Sequence, residues 1–263
     1  MRIRFYNARV LTMDGDMGVD WGEVWVEGNR IVYVGDGNEL KSDENGGSSD
    51  GTWVWDREID VEGNLIMPGF ANAHTHSAMT FLRSYADDLP LQEWLQKQVF
   101  PMEAKLTGED IYDLSKLAIL EYLTSGITSN FDMYFQPEMI ARASVDCGFR
   151  TILVSSLNNF TSSLEDMERE YQEYNNYHEL IRYHLGFHAE YTTSETLLKG
   201  VAALAEKYQA PVFTHNSETK REVEECISRH GMTPTGYLDS LGVFAYGGGG
   251  YHCVYMTDED IKI

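Results

Sequence analysis

Pro68-Gly69-Phe70-Ala71-Asn72-Ala73-His74-Thr75-His76 is the stretch on which the fold reading turns. A short apolar run ends in two histidines separated by one residue. Side chains two apart on a strand share a face, so both imidazoles reach one point, as two ligands of one metal ion must. On its own, His-x-His fits ordinary polar surface equally well. Three further histidines, His188, His215 and His252, each sit at the end of a later apolar run, in GFHAEYT, FTHNSE and YHCVYM. Parallel strands closed into a barrel bring their C-terminal ends to one mouth, so residues far apart along the chain meet there. Glu218, three residues after His215, adds a carboxylate able to move protons beside a metal-activated water without being a ligand. The remaining His178, His184 and His230 read as satisfied hydrogen-bonding histidines.

Outward from this stretch the chain has two rhythms. Residues 1–66 alternate apolar and polar positions, in Arg2-Ile3-Arg4-Phe5, Val24-Trp25-Val26 and Ile31-Val32-Tyr33-Val34, with a turn at Gly28-Asn29. They predict a small antiparallel β region, followed by a surface loop in GDGNELKSDENGGSSDGT, residues 35–52. After Met67, short apolar runs alternate with segments of helical period, the pattern of repeated βα units. Thr107 with Asp110 three residues on predicts a helix start, and Gly126 its stop. Strands are expected at 127–131, 151–154, 181–187, 211–214 and 251–256, which with the first makes six. Helices are expected up to Gly148, at 161–180, from Ser194, at 220–230 and from Thr257. The run Gly247–Gly250 lacks the Lys-Ser or Lys-Thr of a phosphate-binding loop and reads as a flexible turn.

Composition narrows the function classes. The 263 residues are 43% hydrophobic and 24% charged, ordinary for a globular chain. Lysine and arginine total 20 against 42 acidic residues, a net charge of −22, which repels nucleic-acid phosphates and anionic lipid. No apolar run approaches the ~20 residues needed to span a bilayer. Three widely spaced cysteines, Cys147, Cys226 and Cys253, suit free thiols in a reducing compartment. These features predict a cytoplasmic protein with a small-molecule substrate, no nucleic-acid or membrane partner, and homo-oligomerisation left open.

PGFANAHTHSAMTFLR, LPLQEWLQKQVFPMEAKLT, GITSNFDMY, FTHNSETKREVEEC and YHCVYMTDEDI together resemble the amidohydrolase superfamily, in its branch of 5-methylthioadenosine/S-adenosylhomocysteine deaminases and chlorohydrolase-like enzymes. The resemblance implies an α/β fold, a (β/α)8 TIM-type barrel of the metal-dependent hydrolase kind. A closed barrel takes about 250 residues, more than follow residue 66, so the barrel is expected to be truncated after about six strands, beside a small N-terminal β-sandwich portion. The expected division is 1–66, a portion of a composite β domain, and 67–263, a partial barrel catalytic domain. By resemblance, His74, His76 and His215 match metal ligands, Glu218 the acid/base glutamate, and His252 the histidine that contacts the attacking water. His188 matches a substrate-contacting histidine and Glu103 a glutamate that holds ribose hydroxyls. Trp94 matches a loop over the nucleoside, where it packs on a purine or anchors the loop. The implied cofactor is a divalent metal, Zn²⁺ by its imidazole ligands, with Fe²⁺, Mn²⁺ and Ni²⁺ as alternatives.

The implied activity is hydrolytic deamination of a purine nucleoside such as 5-methylthioadenosine, S-adenosylhomocysteine or adenosine. Hydrolysis at another amino- or chloro-bearing carbon of a nitrogen heterocycle is the nearby alternative. Two departures weigh on this reading. Nothing matches the family's last metal ligand, an aspartate, because Asp258 and Asp260 read as acidic residues at a helix start. VSSLNNFTSS stands where the deaminases carry an arginine. A catalytically inactive fragment with an open sheet edge is therefore the competing expectation.

Overall fold

A computed structural model describes residues 1–15, 18–37, 53–86 and 88–263. The chain divides into two compact units, Met1–Gly69 and Phe70–Ile263.

In the first unit, β1 (Arg2–Val10) pairs antiparallel with β2 (Asp20–Glu27), which pairs antiparallel with β3 (Arg30–Gly35) across the expected Gly28-Asn29 turn. Gly28 has φ +62°, the left-handed conformation that such a turn favours. The expectation of a purely antiparallel region needs correction. β4 (Arg57–Asp60) and β5 (Leu65–Ile66) both run parallel to β1, one along each half of it, giving a single mixed sheet. The chain between β3 and β4 is long enough to return to the starting end, which a tight turn cannot do. Ala8, Val10 and Val24 form this sheet's buried apolar face with Phe5, Val26, Val61 and Ile66 packed on it. Of the expected loop at 35–52, residues 38–52 lie outside the described residues.

The second unit is a six-stranded parallel sheet in sequential order: β6 (Phe70–Thr75), β7 (Ile127–Met133), β8 (Arg150–Val154), β9 (Ile181–Ala189), β10 (Val212–Asn216) and β11 (Gly248–His252). Six strands match the sequence count. β9 shows how the sheet sorts its side chains. Ile181, Tyr183, Leu185 and Phe187 are buried in the main apolar core with Leu198, Val201 and Ala205. The alternate positions His184, Gly186 and His188 take the other face, where Phe131, Met133, Val154, Phe213 and Tyr251 from four other strands cluster. The sheet is curled, because His74 on β6 lies against Tyr251 on β11 with ring centroids 4.0 Å apart although the two strands are at opposite edges.

Local signals set the helices. α1 (Leu91–Trp94) and α2 (Phe100–Glu103) flank a π-helical turn, Leu95–Val99, on the way to α3 (Gly108–Thr124). Thr107 and Asp110 close a capping box on α3, which satisfies two of the amides left free at a helix start. Gly148, at φ +67°, ends α4 (Pro137–Cys147), and Ser194 caps α6 (Glu195–Tyr208). α7 (Lys220–His230) is as expected. The expected helix at 161–180 is shorter, α5 (Leu164–Tyr174), because Asn175 turns its side chain onto the Tyr171 and Tyr183 carbonyls. α8 (Pro234–Ser240), α1 and α2 were not expected, and the helix from Thr257 is only a 3-10 turn at Asp260–Lys262.

The last strand also corrects the reading: Gly248–Gly250 of the glycine run are paired strand, not flexible turn, and 253–256 are not strand. A Cβ on Gly248 would lie 1.9 Å from the Val212 carbonyl oxygen, so β11 approaches β10 too closely for a side chain there. Cys147, Cys226 and Cys253 are free thiols. Among the described residues no helix is long and apolar enough to cross a membrane.

Candidate functional site

The C-terminal ends of β6, β9, β10 and β11 bring five imidazoles together. Ring centroids are 4.7 Å apart for His74 and His76, 4.8 Å for His74 and His215, 5.0 Å for His74 and His252, and 5.0 Å for His188 and His215. His76 falls one residue beyond β6, held there from behind. The Ser77 amide donates to Asp132 Oδ1 at 3.1 Å, and Asn130 Nδ2 donates to Thr75 Oγ1 at 2.9 Å and to Ser77 Oγ at 3.2 Å. Burial pushes the Asp132 carboxyl up to about 6.

Ring orientation carries the chemical information. His76 Nδ1 lies 2.6 Å from the Met133 carbonyl oxygen and His215 Nδ1 lies 2.6 Å from that of His188. A carbonyl only accepts, so each Nδ1 bears the proton and each Nε2 presents a lone pair. Those two Nε2 atoms are 3.3 Å apart. Two lone pairs at that distance repel unless a cation or proton lies between them. His74 Nδ1 is buried without a hydrogen-bond partner. Burial, reinforced by the neighbouring imidazoles, drives His74 down to about 3, His215 to about 2 and His188 to about 4. The rings are therefore neutral at ordinary pH, the form that binds metal, and backbone carbonyls behind ligating rings are the usual means of fixing their tautomer. These residues fit a divalent cation.

Two overlapping triads are available. The resemblance points to His74, His76 and His215, whereas donor atoms of His74, His215 and His252 all lie within 4.8 Å of one another. The carbonyl-locked Nδ1 atoms favour the first set, because His252 has no such support and lies instead 3.7 Å from Glu218 Oε1. Burial raises the Glu218 carboxyl above its ordinary range, and His252 partly counters this. The Glu218 loop is clamped by Glu222, whose carboxylate accepts the Ser217 and Glu218 amides, each at 2.9 Å. Ser217, His252 and Cys253 all have positive φ, of 51°, 68° and 51°. Left-handed non-glycine residues clustered at one mouth are a mark of built-in strain.

Beside this cluster is a cavity of about 530 Å³, within the range of small-ligand pockets. His76, His188, Glu103 and Trp94 all line it. Trp94 ends the short helix α1 where a loop was expected, and its indole N–H donates to the Tyr85 carbonyl at 3.2 Å. Tyr134 donates to Glu103 Oε1 at 2.7 Å, while burial lifts the Glu103 carboxyl. His188 Nδ1 is 3.0 Å from Thr192 Oγ1. Asp260 is buried, accepting from Thr233 Oγ1 at 2.5 Å and from the Thr257 amide at 2.9 Å, which agrees with its structural reading.

Sequence reasoning missed four residues here: Asp132, Tyr134, Glu222 and Tyr251. Glu222 had a visible signal, since Thr219-x-x-Glu222 is a capping box. The other three make their side-chain contacts with residues distant along the chain, which no short motif displays.

The model of the amidohydrolase family matches residues 65–263. The chain is 37% identical over 270 residues to the 5-methylthioadenosine/S-adenosylhomocysteine deaminase of Caldanaerobacter subterraneus subsp. tengcongensis, covering 100% of this chain and 60% of that protein. It is 38% identical over 253 residues to the 5'-deoxyadenosine deaminase of Methanothermobacter thermautotrophicus, covering 94% of this chain and 56% of the relative. A crystal structure of an adenosine deaminase from Xanthomonas campestris with bound zinc superposes with a TM-score of 0.85 and 27% identity, over 99% of this chain and 59% of that one. The chain thus spans about 60% of the length of the curated relatives it matches. With the family model matched over most of its length and the curled parallel sheet that such enzymes share, the chain belongs to the amidohydrolase family.

Proposed function

We propose that residues 70–263 carry the catalytic site of a metal-dependent hydrolytic deaminase acting on a purine nucleoside of the 5-methylthioadenosine, S-adenosylhomocysteine or adenosine kind. One observation carries the reading: lone pairs of His76 and His215 converge at 3.3 Å beside a partly buried glutamate and a ligand-sized cavity. The deaminase relatives support the substrate class.

His74, His76 and His215 would hold the ion, and Zn²⁺ suits their imidazole nitrogens. When bound, it would supply Lewis acidity that brings the pKa of water towards about 7. Glu218, kept partly protonatable by its burial, takes one proton from the attacking water and delivers it to the purine ring nitrogen, and then carries the proton of the added hydroxyl to the leaving amino nitrogen. Water adds at carbon six, the bond from that carbon to the amino nitrogen breaks, and an inosine-type product and ammonia result. His252, 3.7 Å from Glu218, orients the attacking water. Glu103 accepts from ribose hydroxyls, with one oxygen already positioned by Tyr134, while His188 contacts the substrate and the Trp94 ring packs on the base.

The test is the ultraviolet change as adenosine derivatives become inosine derivatives, measured on zinc-loaded protein with metal content determined in parallel. Turnover confined to metal-loaded protein is the expected result. One bound ion per chain with no turnover of any nucleoside, in this chain or in a longer one containing it, removes the proposal.

A further inference from the structure

From the charge distribution around the cavity we infer that it selects nucleosides whose 5′ substituent is uncharged and discriminates against those bearing a carboxylate or phosphate. The inference rests on the deaminase reading and narrows it. Among the described residues that line the cavity, none is lysine or arginine, and Glu103 is the one acidic side chain. Much of the remaining wall is apolar: Leu95, Val99, Phe100, Met133 and Phe135. Ser156, Asn158 and Thr161 supply its neutral polar segment, and Asn158 is committed to its own loop, donating to Thr161 Oγ1 at 2.8 Å and accepting the Phe160 amide at 2.9 Å.

An anion against the wall away from the histidine cluster loses its water and meets no lysine or arginine among the described lining residues, an arrangement that costs far more than burying a thioether or methyl group. The carboxylate of Glu103 adds like-charge repulsion. One candidate cation, Arg83, lines a separate cleft that shares His76, Met79 and Trp94 with the cavity, and its guanidinium is already paired to Glu121 at 2.6 Å. A homocysteine tail carries both an ammonium and a carboxylate. Among the described lining residues no lysine or arginine answers the second. A methylthio or deoxy group asks for nothing but apolar contact, which the wall provides.

The experiment is a calorimetric titration of the zinc-loaded chain with 5′-methylthioadenosine, S-adenosylhomocysteine and adenosine 5′-monophosphate. Methylthioadenosine should bind at least about tenfold more tightly than either charged ligand, since a charge-assisted contact the site lacks is worth about that much. Ser156→Arg, which places a guanidinium on the wall, should narrow the gap by about tenfold, and Glu103→Gln should narrow it less. If Ser156→Arg fails to fold, Glu103→Gln and the wild-type ratio still decide. Equal or tighter binding of S-adenosylhomocysteine overturns the selectivity while leaving the deaminase reading intact. Failure of all three nucleosides to bind overturns the deaminase reading itself, and this inference with it.

Discussion

The histidines at the barrel mouth and those elsewhere in the same unit differ in what their ring nitrogens meet. His230 lies flat on Tyr237, centroids 3.8 Å apart, with Nε2 3.3 Å from the buried carboxylate of Glu190. His178 Nδ1 accepts the Leu180 amide at 3.2 Å, and His184 sits between Phe131 and Phe213. These rings have found partners or apolar packing. At the mouth, carbonyls take the Nδ1 protons of His76 and His215, and the remaining lone pairs face each other. Residue type is the same in both regions, so the difference lies in unspent acceptor capacity aimed at one point. That capacity is what a cation answers.

The largest test of this contrast is His215→Ala. Losing the central nitrogen should remove bound zinc after dialysis, read by elemental analysis, and bring deamination below detection. Retention of a full equivalent of ion would show that the ligands lie elsewhere. Glu218→Gln should separate metal binding from proton transfer: zinc content stays near one equivalent while the rate falls by about 10²- to 10⁴-fold. A rate within threefold of wild type would take the proton-transfer role from Glu218.

Asp132 sharpens the contrast through stability. Burial lifts its carboxyl from 3.8 to about 6, so between these values the folded chain keeps a proton that the unfolded chain has lost. Folding then binds protons, and stability falls as pH rises through this window, by up to about 3 kcal/mol for about two pH units. In Asp132→Asn this fall should largely vanish in denaturant midpoints taken at pH 4 and pH 6.5. An unchanged wild-type slope in the variant would refute it. Smaller still, His230→Ala should cost about 1–2 kcal/mol through its ring contact and its carboxylate partner, and His178→Ala under about 0.5 kcal/mol. Neither should alter zinc content, and a loss of ion in either would erase the distinction between the two sets.

Much of the second unit was legible because its signals are local. Thr107 with Asp110, Gly148 and Ser194 each mark a helix end through bonds made within a few residues. The histidines were legible because strand period and barrel topology together assign them to one mouth. The start of β11 was not, because a glycine run carries no side-chain alternation; a Cβ built on Gly248 would lie 1.9 Å from the Val212 carbonyl oxygen, which explains why glycine pairs there. The parallel pairings of β4 and β5 depend on where a long connection returns, which no neighbouring residue encodes. Tyr134 and Asp132 were invisible for a similar reason. Their partners, Glu103 and Ser77, lie 31 and 55 positions away.

The left-handed backbones at Ser217, His252 and Cys253 have a consequence for any effort to make this protein hardier. Glycine at 217 or 253 relieves an unfavourable conformation, yet it also loosens the backbone next to Glu218 and His252. Heat-tolerance screens that ignore catalysis would therefore be drawn to the two positions where a gain in melting temperature is most apt to weaken the proposed proton transfer.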